Sequence, residues 1–166
     1  MNTCAECGFV YDLASAADVP SLAREHAVEY ADLLGGDPGK LRQHREPEVW
    51  SPLEYACHVR DVLLAQRERV LTARRIDNPP ATLMGRDERV EHDGYAEQNP
   101  ADVARQIRDA ALLFANVLER LGEADWERTL IFAYPEPQER SLRWLALHTL
   151  HELRHHLLDM HRQLDG

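Results

Sequence analysis

Apolar residues return at helical spacing in four stretches of the chain. Over residues 21–34, Leu22, Ala23, His26, Ala27, Tyr30, Leu33 and Leu34 keep that spacing, and Gly35-Gly36 ends the run. Trp50-Ser51-Pro52-Leu53-Glu54 supplies an N-cap serine, a proline at the first helical position and a glutamate three residues after the cap. That combination is a capping box, and it predicts a second helix from there to about Arg75, before Asn78-Pro79-Pro80 halts it. Asn99-Pro100 repeats the cap-then-proline signal and opens a third helix through Val103, Ile107, Ala110, Ala111, Phe114 and Leu118, with a stop at Gly122. Ser141 caps a fourth, which carries Leu142, Leu145, Ala146, Leu150, Leu153, Leu157 and Leu158 and ends near Leu164. Four such helices predict an all-α protein, an antiparallel four-helix bundle with at least one long crossover connection.

The segments between them are informative too. Residues 76–99 are polar, hold Gly85 and Gly94, and lack a period. A long ordered loop of this kind is often functional, and here it is expected to fold back and help form the mouth of a site; the alternative is a mouth built from the link before the second helix, with His44 and Trp50, and from the segment before the fourth. Residues 125–140 read as a connector with a short β-prone run, ended by Pro135 and Pro137. Residues 1–20 form a cysteine-bearing leader ahead of a bundle domain over 21–166. At 166 residues and 44% hydrophobic the chain can bury the core of one domain.

A formal charge of -10 repels phosphate backbones and anionic bilayers, so neither nucleic acid nor a membrane is an expected partner. The N-terminus has no basic n-region followed by an apolar h-region, and no uncharged apolar run reaches about 18 residues, so a cytoplasmic location is expected. Three cysteines, an odd number, argue against a disulfide framework.

Five of the nine histidines lie on the fourth helix: His148, His151, His155, His156 and His161. His151 and His155 are four apart, so both rings leave one face and both reach a single ion. His148 lies near that face as a spare, whereas His156 is turned about 100° away. A pair on one helix needs a third ligand, and His58 is the natural one, set among Leu53, Ala56, Cys57 and Val62 on the second helix. A lone histidine is more often solvated or a hydrogen-bonded core residue. Three converging in an apolar bundle carry a desolvation cost that a shared metal relieves. Glu54 and Asp61 flank His58 and are the candidate catalytic carboxylates, orienting an imidazole, taking a coordination position or acting as base.

Cys4-Ala5-Glu6-Cys7-Gly8 has the shape of half a zinc knuckle, and Cys4 and Cys7 are a second candidate metal site, completed by histidine or by another chain. A redox pair and an inert leader are the alternatives. Asp87-Glu88 and Glu91-His92-Asp93 read as a solvated loop. Phosphate-loop, nucleophile-elbow and dinucleotide motifs are missing.

Taken together, Trp50-Ser51-Pro52-Leu53-Glu54 leading through Cys57-His58 to Asp61, His151-Glu152-Leu153-Arg154-His155-His156, and Trp126 before the last connector resemble the DinB-like superfamily of metal-binding four-helix bundles. The resemblance covers about residues 21–164. It implies a metal ligand at His58 and two more at His151 and His155; the Gly-Gln that often follows the final pair in relatives is here Leu157-Leu158. Three imidazoles leave an open position on a divalent ion, with zinc the first choice and nickel or iron the alternatives. Some members of the superfamily are thiol S-transferases that activate bacillithiol or mycothiol. The implied function is therefore a metal-dependent thiol S-transferase or related detoxification enzyme acting on a small-molecule thiol and an electrophile. A metal-dependent hydrolase, with Glu54, Asp61 or Glu152 as base, and a non-catalytic metal or stress-ligand binding module are the rival readings. The oligomeric state, a homodimer included, is left open.

Overall fold

The computed structural model describes residues 2–165. Its frame is four long helices: α1 (Val19–Leu34), α3 (Pro52–Arg75), α5 (Pro100–Glu119) and α7 (Leu142–Leu164), with short helices α2 (Pro38–Arg42), α4 (Arg86–His92) and α6 (Glu123–Trp126) in the links. The helices start where local chemistry satisfies their free backbone donors. At α3 the capping box is complete: Ser51 Oγ accepts from the Glu54 N–H at 3.3 Å, and Glu54 Oε2 accepts from the Ser51 N–H at 2.8 Å. Asn99 caps α5 by accepting from Ala101 and Asp102, and Ser141 caps α7 by accepting from Trp144.

Helix α1 packs against α5 and α7, and α3 packs against the same two, so α1 faces α3 across one diagonal and α5 faces α7 across the other. Side-chain contacts give the directions. Arg24 near the start of α1 pairs with Glu119 at the end of α5, so these two are antiparallel. Helices α3 and α7 are also antiparallel, since Tyr55 stacks on His156 while Arg128, whose carbonyl accepts from the Leu142 N–H at the start of α7, donates to the Ala73 carbonyl. By contrast, Arg60 near the start of α3 donates to Gln106 near the start of α5. These two neighbours therefore run the same way.

Parallel neighbours need a connection that returns the length of the bundle. Helix α3, with 24 residues, is about 36 Å long, and residues 76–99 make that return. This is the long crossover, with α4 and a 3-10 turn, Tyr95–Glu97, built into it. The second irregular link holds an antiparallel pair, β1 (Thr129–Phe132) and β2 (Gln138–Ser141), in register Thr129 to Ser141 and Phe132 to Gln138. Ser141 thus ends a strand and caps α7 at once.

Tyr30, Leu53, Leu63, Ile107, Phe114, Leu145 and Leu153 are among the fully buried residues that fill the centre, each stabilising the fold by about 1.5–3 kcal/mol. Tyr30 is tolerated there because its hydroxyl donates to the Leu153 carbonyl at 2.6 Å. The leader packs on this frame: Phe9 and Ala16 belong to the core cluster. Among the described residues no helix is long and apolar enough to cross a membrane.

Candidate metal centre

Each residue along α7 turns the side chain by about 100°, so residues 152 and 156 look to a different side from 151 and 155. Glu152 and His156 face α3. Glu152 Oε2 lies 3.6 Å from His58 Nε2 and 3.4 Å from His156 Nε2. For metal–ligand bonds of about 2.0–2.2 Å, tetrahedral neighbours stand roughly 3.3–3.6 Å apart, so these separations suit a shared ion. The three ligand atoms lie within 4.8 Å of one another.

The environment supports the same conclusion. His58 is buried at 2% exposure and aims Nε2 at the Glu152 carboxylate, while Nδ1, on the far side of the ring, has no hydrogen-bond partner. His156 is oriented from behind: its Nδ1 lies 3.0 Å from Asp159 Oδ2, so an Nδ1–H donates to the carboxylate and Nε2 is left for the centre. Trp50 packs on His58 and Tyr55 stacks on His156, screening both from water. Burial pushes His58 down, toward its neutral, ligating form. Burial opposes charge on His156 too, but Asp159 and Glu152 outweigh it and lift the group to about 8. Burial would likewise raise Glu152, yet the bonds from His156 and His58 hold it well below the usual carboxylate range.

His151 and His155 face the leader. Their ligand atoms cluster with those of Cys4 and Cys7, all four within 4.8 Å of one another. Beside them, the Tyr11 hydroxyl lies 3.0 Å from Nδ1 of both His148 and His151. Burial pushes His148 down to about 4 and lowers His151 as well. The Cys4 thiol is lowered to about 7, chiefly by the backbone N–H of Cys7.

The histidines singled out in the sequence are thus divided. Among the described residues, His58, His151 and His155 do not converge on one point: His58 joins Glu152 and His156, and the other two join the cysteines. The offset is one residue along α7. Spacing of four recurs there as His151/His155 and as Glu152/His156, and again as His148/Glu152 and His155/Asp159, and only packing against α3 tells them apart. In the sequence Glu152 reads only as a base and His156 as turned away, while Asp159 and Tyr11 pass unnoticed. The second i,i+4 pair was the one signal for the first two.

Glu54 and Asp61 are occupied elsewhere. The Glu54 carboxylate caps α3 and stands 3.0 Å from His44 Nε2. Asp61 accepts from Arg60 at 2.9 Å and from the Tyr95 hydroxyl at 2.5 Å, with Arg89 at 3.3 Å. The crossover does reach the centre's surroundings, since Arg86 lies over the Trp50 ring at 4.6 Å and Trp50 touches His58. A wide groove lined by Arg60, Asp61, Asp93 and Gln106 lies between α3 and α5 and includes none of the clustered histidines.

A family model for the DinB superfamily matches residues 21–160. The chain belongs to the DinB superfamily. Among solved structures this DinB chain is similar to YfiT from Bacillus subtilis, described as a "probable metal-dependent hydrolase with an unusual four-helix bundle topology". The two share 14% identity at a TM-score of 0.69, over 92% of this chain and 85% of that one. It is also similar to the mycothiol-dependent maleylpyruvate isomerase, at 16% identity and a TM-score of 0.71, and to a histidine-to-alanine variant of that enzyme, at 15% and 0.72. Both isomerase alignments cover 96% of this chain but 63% of the other, so the DinB chain spans under two thirds of the isomerase's length. At these identities the likeness is one of fold. No curated protein matches.

Proposed function

We propose that this DinB protein is a metal-dependent enzyme that transfers a small-molecule thiol to an anionic electrophile, at a centre formed by His58, Glu152 and His156. The observation that carries the reading is the two-histidine, one-carboxylate donor set gathered between α3 and α7, with both histidines buried and Glu152 half-buried. Three protein ligands are the mark of a catalytic rather than a closed structural site. A divalent ion held there, with zinc the best match to imidazole and carboxylate, would supply Lewis acidity that lowers the pKa of a bound thiol or water.

The chain's own residues do the rest. Asp159 fixes the tautomer of His156, so that Nε2 is the ligating atom. Trp50 and Tyr55 wall the centre against water, which strengthens every electrostatic interaction inside it. Arg86, stacked on Trp50, sets a positive charge at the rim that suits a substrate carboxylate. The isomerase of the same fold is mycothiol-dependent, which supports a thiol as the co-substrate.

Hydrolysis is the second reading, favoured by the donor set itself, which also serves metalloproteases. It requires a base for water. Glu54 and Asp61 are tied to partners of their own and Glu152 stands in the ligand set, whereas a thiol with a pKa near 8.5 needs less help to ionise. The test is turnover by the zinc-loaded full chain, with mycothiol, bacillithiol or glutathione, against a panel of electrophilic carboxylic acids. Thiol-dependent turnover lost in His156→Ala is the expected result. Ester or amide cleavage that proceeds equally without thiol would overturn the transferase reading in favour of hydrolysis.

A further inference from the structure

We propose that Cys4, Cys7, His151 and His155 form a second, closed zinc site that fastens the leader to α7. The first argument is the shape of the leader. The Cys4 N–H donates to the Phe9 carbonyl and the Gly8 N–H donates to the Cys4 carbonyl, both at 2.9 Å, while Thr3 bridges Val10. Gly8 has φ +68°, a left-handed turn that a side chain would strain. The result is a miniature hairpin that presents two sulfurs from one tight turn toward α7.

The second argument is that the facing histidines are set up as ligands. His151 Nε2 is buried without a hydrogen-bond partner, a costly state for a polar atom unless something coordinates it. Its other nitrogen is accounted for. With Nδ1 protonated, His151 donates to the Tyr11 oxygen, and the Tyr11 hydroxyl in turn donates to His148 Nδ1, each at 3.0 Å. That chain of donors holds His151 in the tautomer that leaves Nε2 free.

His155 repeats the arrangement with its nitrogens exchanged. Nδ1 stands 3.7 Å from Cys4 Sγ, close to the roughly 3.6 Å expected between nitrogen and sulfur on one tetrahedral zinc with bonds of about 2.0 and 2.3 Å. Its outer nitrogen, Nε2, is met by two carboxylates, Glu6 at 3.6 Å and Asp159 at 3.7 Å. Two thiolates and two neutral imidazoles fill a tetrahedron and leave no open position, so the site is structural. Binding replaces the two thiol protons, which pass to solvent, and two thiolates neutralise the ion.

Elemental analysis of the full chain loaded with zinc, together with cobalt substitution, tests the proposal. Wild type is expected to hold two zinc ions per chain, and the Cys4→Ser, Cys7→Ser variant one. The His151→Ala, His155→Ala variant should also hold one, with the bundle otherwise folded by circular dichroism. Cobalt-loaded wild type should show thiolate-to-cobalt charge-transfer absorption, kept in His58→Ala, His156→Ala and lost in the cysteine variant. A cysteine variant with wild-type zinc, or a cobalt-loaded wild type without the thiolate band, overturns the second site. Wild-type zinc in His58→Ala, His156→Ala would instead overturn only the centre between α3 and α7.

Discussion

Asp159 stands behind both histidine pairs, 3.0 Å from His156 Nδ1 and 3.7 Å from His155 Nε2. Replacing it by asparagine keeps the shape and removes the charge, and the expected outcome is a 10–100-fold weaker metal affinity at the His58 centre, measured by competition with a chelating dye. Protonation acts on the same centre. His156 sits at about 8, so below that pH it must shed a proton before it ligates. Metal affinity at that centre should therefore fall about tenfold per pH unit on going down from 8, and calorimetry on the Cys4→Ser, Cys7→Ser variant, in buffers of different ionisation enthalpy, should count one proton released there. Cys57 behaves in the opposite way to Cys4: burial pushes it up to about 12, so it is a thiol at neutral pH. Iodoacetamide on chelator-treated, folded protein should label Cys4 first and spare Cys57 until denaturant is added, as read by peptide mass spectrometry. His58 was legible from sequence because it is a polar residue inside an apolar stretch with a complete cap before it. His156 and Glu152 were not, because the polar residues of α7 surround most of the helix and no local rule says which stripe meets α3.

At the scale of elements, capping chemistry was the most legible part of the chain. Ser51, Asn99 and Ser141 all cap where the cap-then-helix pattern placed them, since each needs only residues within one turn. The cap on α3 matters beyond its own helix, because His58 leaves α3 in its second turn. Ser51→Ala removes a buried acceptor and should cost about 1–2 kcal/mol in urea unfolding of the metal-free protein, with a smaller loss when metal is bound. The leader was legible as a knuckle but not as a partner of α7, for the contacts lie about the full chain length apart in sequence. The short α4 was hidden for a different reason, being held by long-range contacts such as Arg89 to Asp61, whereas the β-prone run of β1 was legible and only its partners, β2 and the Pro80 to Ile131 bridge, were not.

On the whole molecule, the parallel course of α3 and α5 forces residues 76–99 back along the bundle, and this brings Arg86 to the rim of the centre. Periodicity finds helices without giving their directions, so the length of that loop was visible while its path was not. The leader has an outcome of another kind. It joins the third and fourth turns of α7, so pulling on the two ends of the folded chain loads a short route: leader, zinc, then the last turns of α7. Most of the bundle lies outside that line of tension. In single-molecule pulling from the termini, the zinc-loaded chain should first give way at the thiolate bonds and only then lengthen through the helices, and added chelator should erase the first event. A protein held this way is sheltered against threading from either end until the clasp opens.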